Sequence, residues 1–182
     1  MSIFARYMKD KSGFFVQKLT IDSIELVRNW RNQDFVRSQM EYNQLITHEQ
    51  QEKWFNKIDS DSSFEYYLFG EREKPVGLVH LAHIHSTNKT AEVGLFIGEA
   101  SYLGTGIPFR ASFFILQRAF QELGLDCVYA KVSKENKPAI EYNVSLGFVM
   151  DKEVNTKFNA YRFDKAAYII FSEKWFFLAT NS

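Results

Sequence analysis

At 182 residues, with 46% hydrophobic and 16% aromatic side chains, the chain suits one globular domain with a sizeable core. Its 22 basic and 22 acidic residues cancel, which removes any general electrostatic case for nucleic acid or an anionic membrane surface and leaves monomer or homodimer as the expected state. A single cysteine, Cys127, excludes an intrachain disulfide, and the absence of an apolar run of about 18 residues or a signal-peptide pattern makes the cytoplasm the default location.

No repeat, low-complexity tract or linker interrupts the chain, so residues 1–182 read as one domain. A first strand is expected at Phe14 to Leu19. A helix capped by Asp22 or Ser23 follows to about Asn32, with Leu26, Val27 and Trp30 as its apolar stripe. Thr47-His48-Glu49-Gln50 has capping-box spacing and opens a second helix through Trp54, Phe55 and Ile58. Two strands, Phe64 to Arg72 and Val76 to His85, flank a turn at Glu73-Lys74-Pro75, and Thr90 to Ile97 forms the next strand. After a glycine loop, Phe109, Phe113, Leu116, Phe120 and Leu123 share one helical face between Pro108 and Gly124. Cys127 to Ser133 alternates as a strand, Asn136 caps a helix stopping at Gly147, and two late strands are expected near Phe148 to Val154 and Ala166 to Ser172. Trp175, Phe176 and Phe177 suit a packed or interfacial segment. The order predicts a mixed α/β fold around one sheet.

The segment from Glu92 to Phe148 carries the chemistry. Glu92-Val93-Gly94-Leu95-Phe96-Ile97 is followed by Ser101-Tyr102-Leu103-Gly104-Thr105-Gly106 and then by a helix. Strand, glycine loop and helix in that order cradle an anion: glycines admit close backbone approach, and the helix N-terminus adds partial positive charge. The amides from Leu103 through Thr105 to Ile107 are the expected donors. A second segment, Asn136-Lys137-Pro138-Ala139-Ile140-Glu141-Tyr142-Asn143-Val144-Ser145-Leu146-Gly147-Phe148, makes the pattern more specific.

Together these segments resemble the GNAT superfamily of acetyl-CoA-dependent N-acetyltransferases, over nearly the whole chain. In the family loop, Gln/Arg-x-x-Gly-x-Gly/Ala, Gly104 and Gly106 match and Ser101 replaces Gln/Arg. In the later helix Asn136, Ala139, Gly147 and Phe148 match at the family spacing. The resemblance implies a GNAT fold with a mostly antiparallel sheet, and acetyl-CoA as cosubstrate without a metal. It places the pyrophosphate at the loop from Ser101 to Ile107 and the pantetheine arm along Val93, Leu95, Phe96 and Ile97, as an added strand. Asn136, Ala139 and Asn143 would line the cofactor on the other side.

Amine acetylation needs a base. Glu92, opening an apolar strand beside the implied thioester, is the first candidate and His80 the second. The family places a tyrosine at the position of Asn143, and a one-residue step turns a side chain by about 100° around a helix. Three readings of the leaving thiolate stay open: Tyr142 reaches it through a local shift, Asn143 stabilises it without a proton, or water protonates it. His80, His83 and His85 lack the partners of a metal site, and Cys127 reads as a packed strand residue.

The acceptor half, Trp30-Arg31-Asn32 with Met40, Tyr42 and Ile46-Thr47, resembles the nucleotide-amino-sugar N-acetyltransferases of the pseudaminic acid pathway. Arg28, Arg31 and Asn32 share a helical face and would address a diphosphate or sugar hydroxyls, while Trp30, Met40 and Tyr42 would meet sugar or base. The competing reading is a solvated basic face with Trp30 in the core. The acceptor expected is thus a small-molecule amine, with a UDP-linked amino sugar first. Ribosomal-protein or peptide N-terminal acetylation and a non-catalytic CoA-binding domain are the alternatives.

Overall fold

The computed structural model describes residues 8–9 and 12–180, with side chains described from 12 to 173. Trp175, Phe176 and Phe177 therefore lie outside the described side chains. The chain falls into two compact units, residues 1–82 with 94–112 and residues 83–93 with 113–182. Strands β4 (Lys74–His85) and β5 (Thr90–Ile97) run through both.

In the first unit β1 (Met8–Lys9), β2 (Phe14–Lys18) and β3 (Glu65–Glu71) build an antiparallel ladder that continues to β4. Helices α1 (Ile24–Asn32), α2 (Asp34–Arg37) and α3 (His48–Asp59) lie between β2 and β3 in the chain. Helix α1 buries Ile24, Val27 and Trp30, spaced three apart, against Phe55, Ile58, Leu68 and Leu78. Its start is a short 3-10 turn, Ile21–Ser23, and Ser23 makes no side-chain cap bond. The Thr47 box forms in full: Gln50 N–H donates to Thr47 Oγ1 at 3.2 Å, and Thr47 N–H to Gln50 Oε1 at 2.8 Å. The β3–β4 turn is one step earlier than expected. Arg72 and Glu73 take positive φ, 50° and 71°, which matches the twist of a tight hairpin and leaves Lys74 and Pro75 in the strand.

In the second unit β6 (Cys127–Ser133) pairs parallel with β5 and antiparallel with β8 (Phe158–Asp164), and β7 (Val149–Glu153) is the outer partner of β8. Among the described residues the strand order is β1-β2-β3-β4-β5-β6-β8-β7. Helix α4 (Ile107–Gln117) ends in a π turn, Arg118–Glu122, before Gly124 at φ 63°. It is buried on more than the single face expected: Ala111, Ile115 and Ala119 are buried along with Leu116 and Phe120. Helix α5 (Lys137–Leu146) starts at Asn136 and ends at a left-handed Gly147, as the sequence suggests.

One expectation fails here. Ala166 to Ser172 is not a strand but part of α6 (Lys165–Thr180), and the last strand is β8. A short apolar run does not distinguish strand from buried helix by itself. The spacing decides: Tyr168 and Phe171, three apart, are buried, while Ile169 and Ile170 between them are exposed. Asp164 accepts the Ala167 N–H at 3.0 Å and fixes the helix start. Phe163 and Phe171 meet edge to face, and Tyr168 stacks on Phe120 at 5.0 Å.

Candidate active site

The glycine loop leaves β5 along a braced path. A side chain at Gly98 would meet the Trp30 ring at 2.1 Å, so the absence of Cβ is what lets the backbone pass over the indole. Trp30 itself is 2% exposed, packs edge to face on Phe96, and donates its indole N–H to Glu99 at 3.1 Å. It lies in the core, as the competing reading held. Glu99 also pairs with Lys74 at 2.9 Å, and Lys74 together with Trp30 holds its carboxyl below the ordinary range. Beyond Glu99 the loop turns on itself through Tyr102 N–H to Glu99 O and Leu103 N–H to Ala100 O. Thr105 Oγ1 donates to Tyr102 O at 2.8 Å.

Among the described residues the N–H groups of Gly104 and Gly106 have no hydrogen-bond partner, and α4 begins at the next residue. Gly104 needs its glycine for a φ of 75°. Gly106 has neither positive φ nor any atom within 4 Å of a Cβ, so nothing in the described chain demands a glycine there. Open space, idle N–H donors and a helix start together suit an anionic group approaching from outside. Ser101 and Leu103 are exposed on this loop, and Ile107 is buried. Leu95 and Ile97 are half-buried along β5.

In the second unit the β5–β6 register covers Thr90–Cys127, Ala91–Val128 and Glu92–Tyr129 and stops, so Val93 has left that ladder. Glu92 is half-buried and lines an open pocket with His83, His85, Thr90, Tyr129, Lys152 and Ala160. Tyr129 and Lys152 carry no sequence signal for this place, because sheet pairing and not spacing brings them there. His83 has φ 51°, uncommon for a non-glycine residue, within β4. Asn136 accepts the Ala139 N–H at 3.1 Å while its amide nitrogen has no partner among the described residues, so it caps α5 and keeps a donor. Asn143 donates to Ala139 O at 2.8 Å and is half-buried, as is Tyr142. An amide so placed has one N–H left and no acidic proton. Among the described residues no group of three His, Cys, Asp or Glu could hold a metal ion.

The remaining named residues belong to the first unit. His80 stacks on Tyr66 at 4.7 Å, and a Cβ at Gly94 would lie 2.3 Å from its ring. Arg28 is drawn into a bidentate pair with Glu25 at 2.7 to 3.0 Å. Arg28 and then His48, which meets Glu25 at 2.8 Å, bring the Glu25 carboxyl down to about 2. The spacing of Glu25 and Arg28 was visible in the sequence; the reach of His48 was not. Asn32 exchanges two hydrogen bonds with the backbone of Ile46. Arg31 differs from both. It reaches Tyr42 O at 3.2 Å, but its Nε is buried without a partner, no carboxylate pairs with it, and burial pulls its pKa down. Met40 is half-buried and Tyr42 exposed.

Residues 15–149 match the acetyltransferase (GNAT) domain family. The chain belongs to the GNAT acetyltransferase family. An acetyltransferase, PseH, from Campylobacter jejuni is 28% identical over 124 residues, covering 68% of this chain and 75% of that protein. Spermidine N(1)-acetyltransferase from Escherichia coli K12 is 30% identical over 104 residues, and the match spans 57% of this chain and 55% of that enzyme. In fold the chain is similar to spermidine N-acetyltransferase from Vibrio cholerae, a structure with CoA and spermine, at TM-score 0.76 and 20% identity over 87% of this chain and 99% of that one.

As a GNAT enzyme the protein is an acetyl-CoA-dependent N-acetyltransferase, and acetyl-CoA is its cosubstrate. The loop fits that cosubstrate: its unpartnered glycine N–H groups at the start of α4 suit a pyrophosphate, and exposed Leu103 offers an apolar contact beside them.

Proposed function

We propose that the enzyme acetylates a primary amine on a nucleotide-linked amino sugar, within a single N-acetyltransferase domain over residues 1–182. Arg31 carries this reading. A half-buried guanidinium without a carboxylate partner suits an acceptor that brings negative charge, such as a diphosphate. A polyamine needs the reverse, free carboxylates. On the same helices Glu25 is tied to Arg28, Asp34 to Arg37 and Glu49 to Lys53. The resemblance of Trp30-Arg31-Asn32, Met40 and Ile46-Thr47 to nucleotide-amino-sugar N-acetyltransferases supports the sugar reading. The match to spermidine N(1)-acetyltransferase favours a polyamine as second reading.

Acetyl-CoA supplies the activated acetyl group as a thioester. Loop amides at Gly104 and Gly106 and the amide nitrogen of Asn136 would hold its polar groups, and the β5 backbone from Val93 to Ile97, with Ser101, Leu103, Thr105, Ile107 and Ala139, would complete its contacts. Glu92 takes the proton of the acceptor amine, directly or through water, so that the nitrogen lone pair forms the amide bond as the carbon–sulfur bond breaks. The strand backbone beside Glu92 stabilises negative charge on the carbonyl oxygen. Asn143 or Tyr142 hydrogen-bonds the thiolate, and with Asn143 in that place water returns the proton. Replacing Glu92 by Gln should lower kcat/KM by about 100-fold and flatten its rise with pH. An unaltered pH profile removes Glu92 as the base and moves the role to His80.

Free-thiol release against UDP-linked amino sugars, spermidine and N-terminal peptides tests the acceptor. Saturable turnover is expected with a nucleotide amino sugar, and Arg31→Ala should raise that KM about ten-fold, or about 1.4 kcal/mol. Turnover with spermidine alone, or with peptides alone, replaces the proposal; acetyl-CoA binding without any turnover leaves a non-catalytic domain.

A further inference from the structure

We propose that Asn32 is the positioning residue that sets acceptor selection, by holding the 38–47 loop through its backbone. The inference rests on the reading that this loop faces the acceptor. Between α2 and α3 the chain forms turns as far as Met40, whose N–H donates to Arg37 O. From Tyr42 to Ile46 no backbone–backbone hydrogen bond fixes it among the described residues. Three side chains of α1 do so instead. Arg31 Nη2 donates to Tyr42 O at 3.2 Å, and Arg28 Nη1 reaches Ile46 O at 3.3 Å. Asn32 does more: its Nδ2 donates to Ile46 O at 2.9 Å, and its Oδ1 accepts the Ile46 N–H at 2.8 Å.

That exchange is the bonding of a neighbouring strand, performed by one side-chain amide. It needs a donor and an acceptor on the same short arm, which asparagine has, aspartate lacks in part and leucine lacks entirely. Glutamine carries the pair one methylene too far out. Because the loop is held by its backbone, its side chains are left to face outward: Tyr42 and Leu45 are 50% and 61% exposed. Asn32 also fixes the residue just before the Thr47 cap, so loop position and the start of α3 are set together. Moving Ile46 shifts Tyr42 and Leu45 without touching the glycine loop.

The test uses whichever amine the wild-type enzyme turns over best, so it stands apart from the identity of that amine. Asn32→Leu removes both bonds at similar volume; Asn32→Asp removes only the donor. The expected result for Asn32→Leu is a KM for the acceptor raised about ten-fold, an acetyl-CoA KM within two-fold of wild type, and a flatter preference among amines, with Asn32→Asp between the two. An unchanged acceptor KM overturns the proposal. So does an equal loss toward both substrates, which marks general loosening. If Asn32→Leu does not fold, Asn32→Asp alone decides by the same split.

Discussion

Two loops of the first unit hold themselves in opposite ways. The glycine loop, from Glu99 to Ile107, is shaped by its own backbone turns and leaves the Gly104 and Gly106 N–H groups idle. In the loop from Ser38 to Thr47 the Tyr42 carbonyl and both backbone groups of Ile46 are taken by α1 side chains, and Tyr42 and Leu45 are left outward. The first presents backbone, which suits an invariant ligand such as the cosubstrate. The second presents side chains, which suits the contact with a variable acceptor proposed for it. Trp30 and Gly98 lie under both arrangements: Trp30 is on the helix that holds the loop from Ser38 to Thr47, and Gly98 leads into the glycine loop.

The largest expected effect comes from that shared support. Gly98→Ala would place a methyl 2.1 Å from a buried indole that cannot swing away while bonded to Glu99. Overpacking of this kind costs about 3 kcal/mol. For a chain of this size that lowers Tm by roughly 6–12 °C, measured by thermal unfolding. A smaller change, below about 2 °C, would mean that the two loops are not braced together.

Gly106→Val separates function from stability on one loop. A Cβ there meets nothing within 4 Å, and φ is not positive, so Tm should move by less than about 2 °C. The acetyl-CoA KM should rise by about ten-fold or more, because the space it enters is the one assigned to the pyrophosphate, while the acceptor KM holds. Equal effects on both substrates would erase the contrast between the loops.

This contrast also explains how much could be read from the sequence. The glycine loop was legible because backbone chemistry restricts residue type: φ 75° at Gly104 calls for glycine, and a glycine at Gly106 keeps the space beside it open. Caps were legible for the same reason, at Thr47, Asn136 and Gly147. The α1 face proposed to meet the acceptor was not. Arg28, Arg31 and Asn32 share a helical face and looked equivalent, yet Glu25 claims one, the Ile46 backbone another, and only Arg31 keeps an unpartnered buried nitrogen. Those fates depend on residues up to 18 positions away, which periodicity does not see. Ala166 to Ser172 failed for a related reason: its apolar run fits strand or helix, and the Asp164 cap and the Phe120 ring settle which.

The smallest effect concerns pH at the proposed acceptor wall. His48 Nδ1 meets Glu25 at 2.8 Å and its other nitrogen meets Glu52 at 3.2 Å, with Arg28 opposing from α1. The hydrogen bond to Glu25 leads in raising the His48 pKa above its ordinary 6.5. A raised folded-state pKa means that the pairing contributes fully below 6.5 and is lost as pH climbs through the raised value. Glu25 has the opposite sign: lowered to about 2, it contributes above its ordinary 4.5 and fails only as pH falls toward 2. The tie between α1 and α3 is therefore intact in mildly acidic solution and weakens first on the alkaline side. NMR titration of His48 should give a midpoint above 6.5 that Glu25→Gln draws back down. Since all three groups face solvent, the acceptor KM should rise by less than about three-fold as the histidine deprotonates. A midpoint at or below 6.5 would show that His48 is not tied to α1, and would leave the acceptor loop held by Arg28, Arg31 and Asn32 alone.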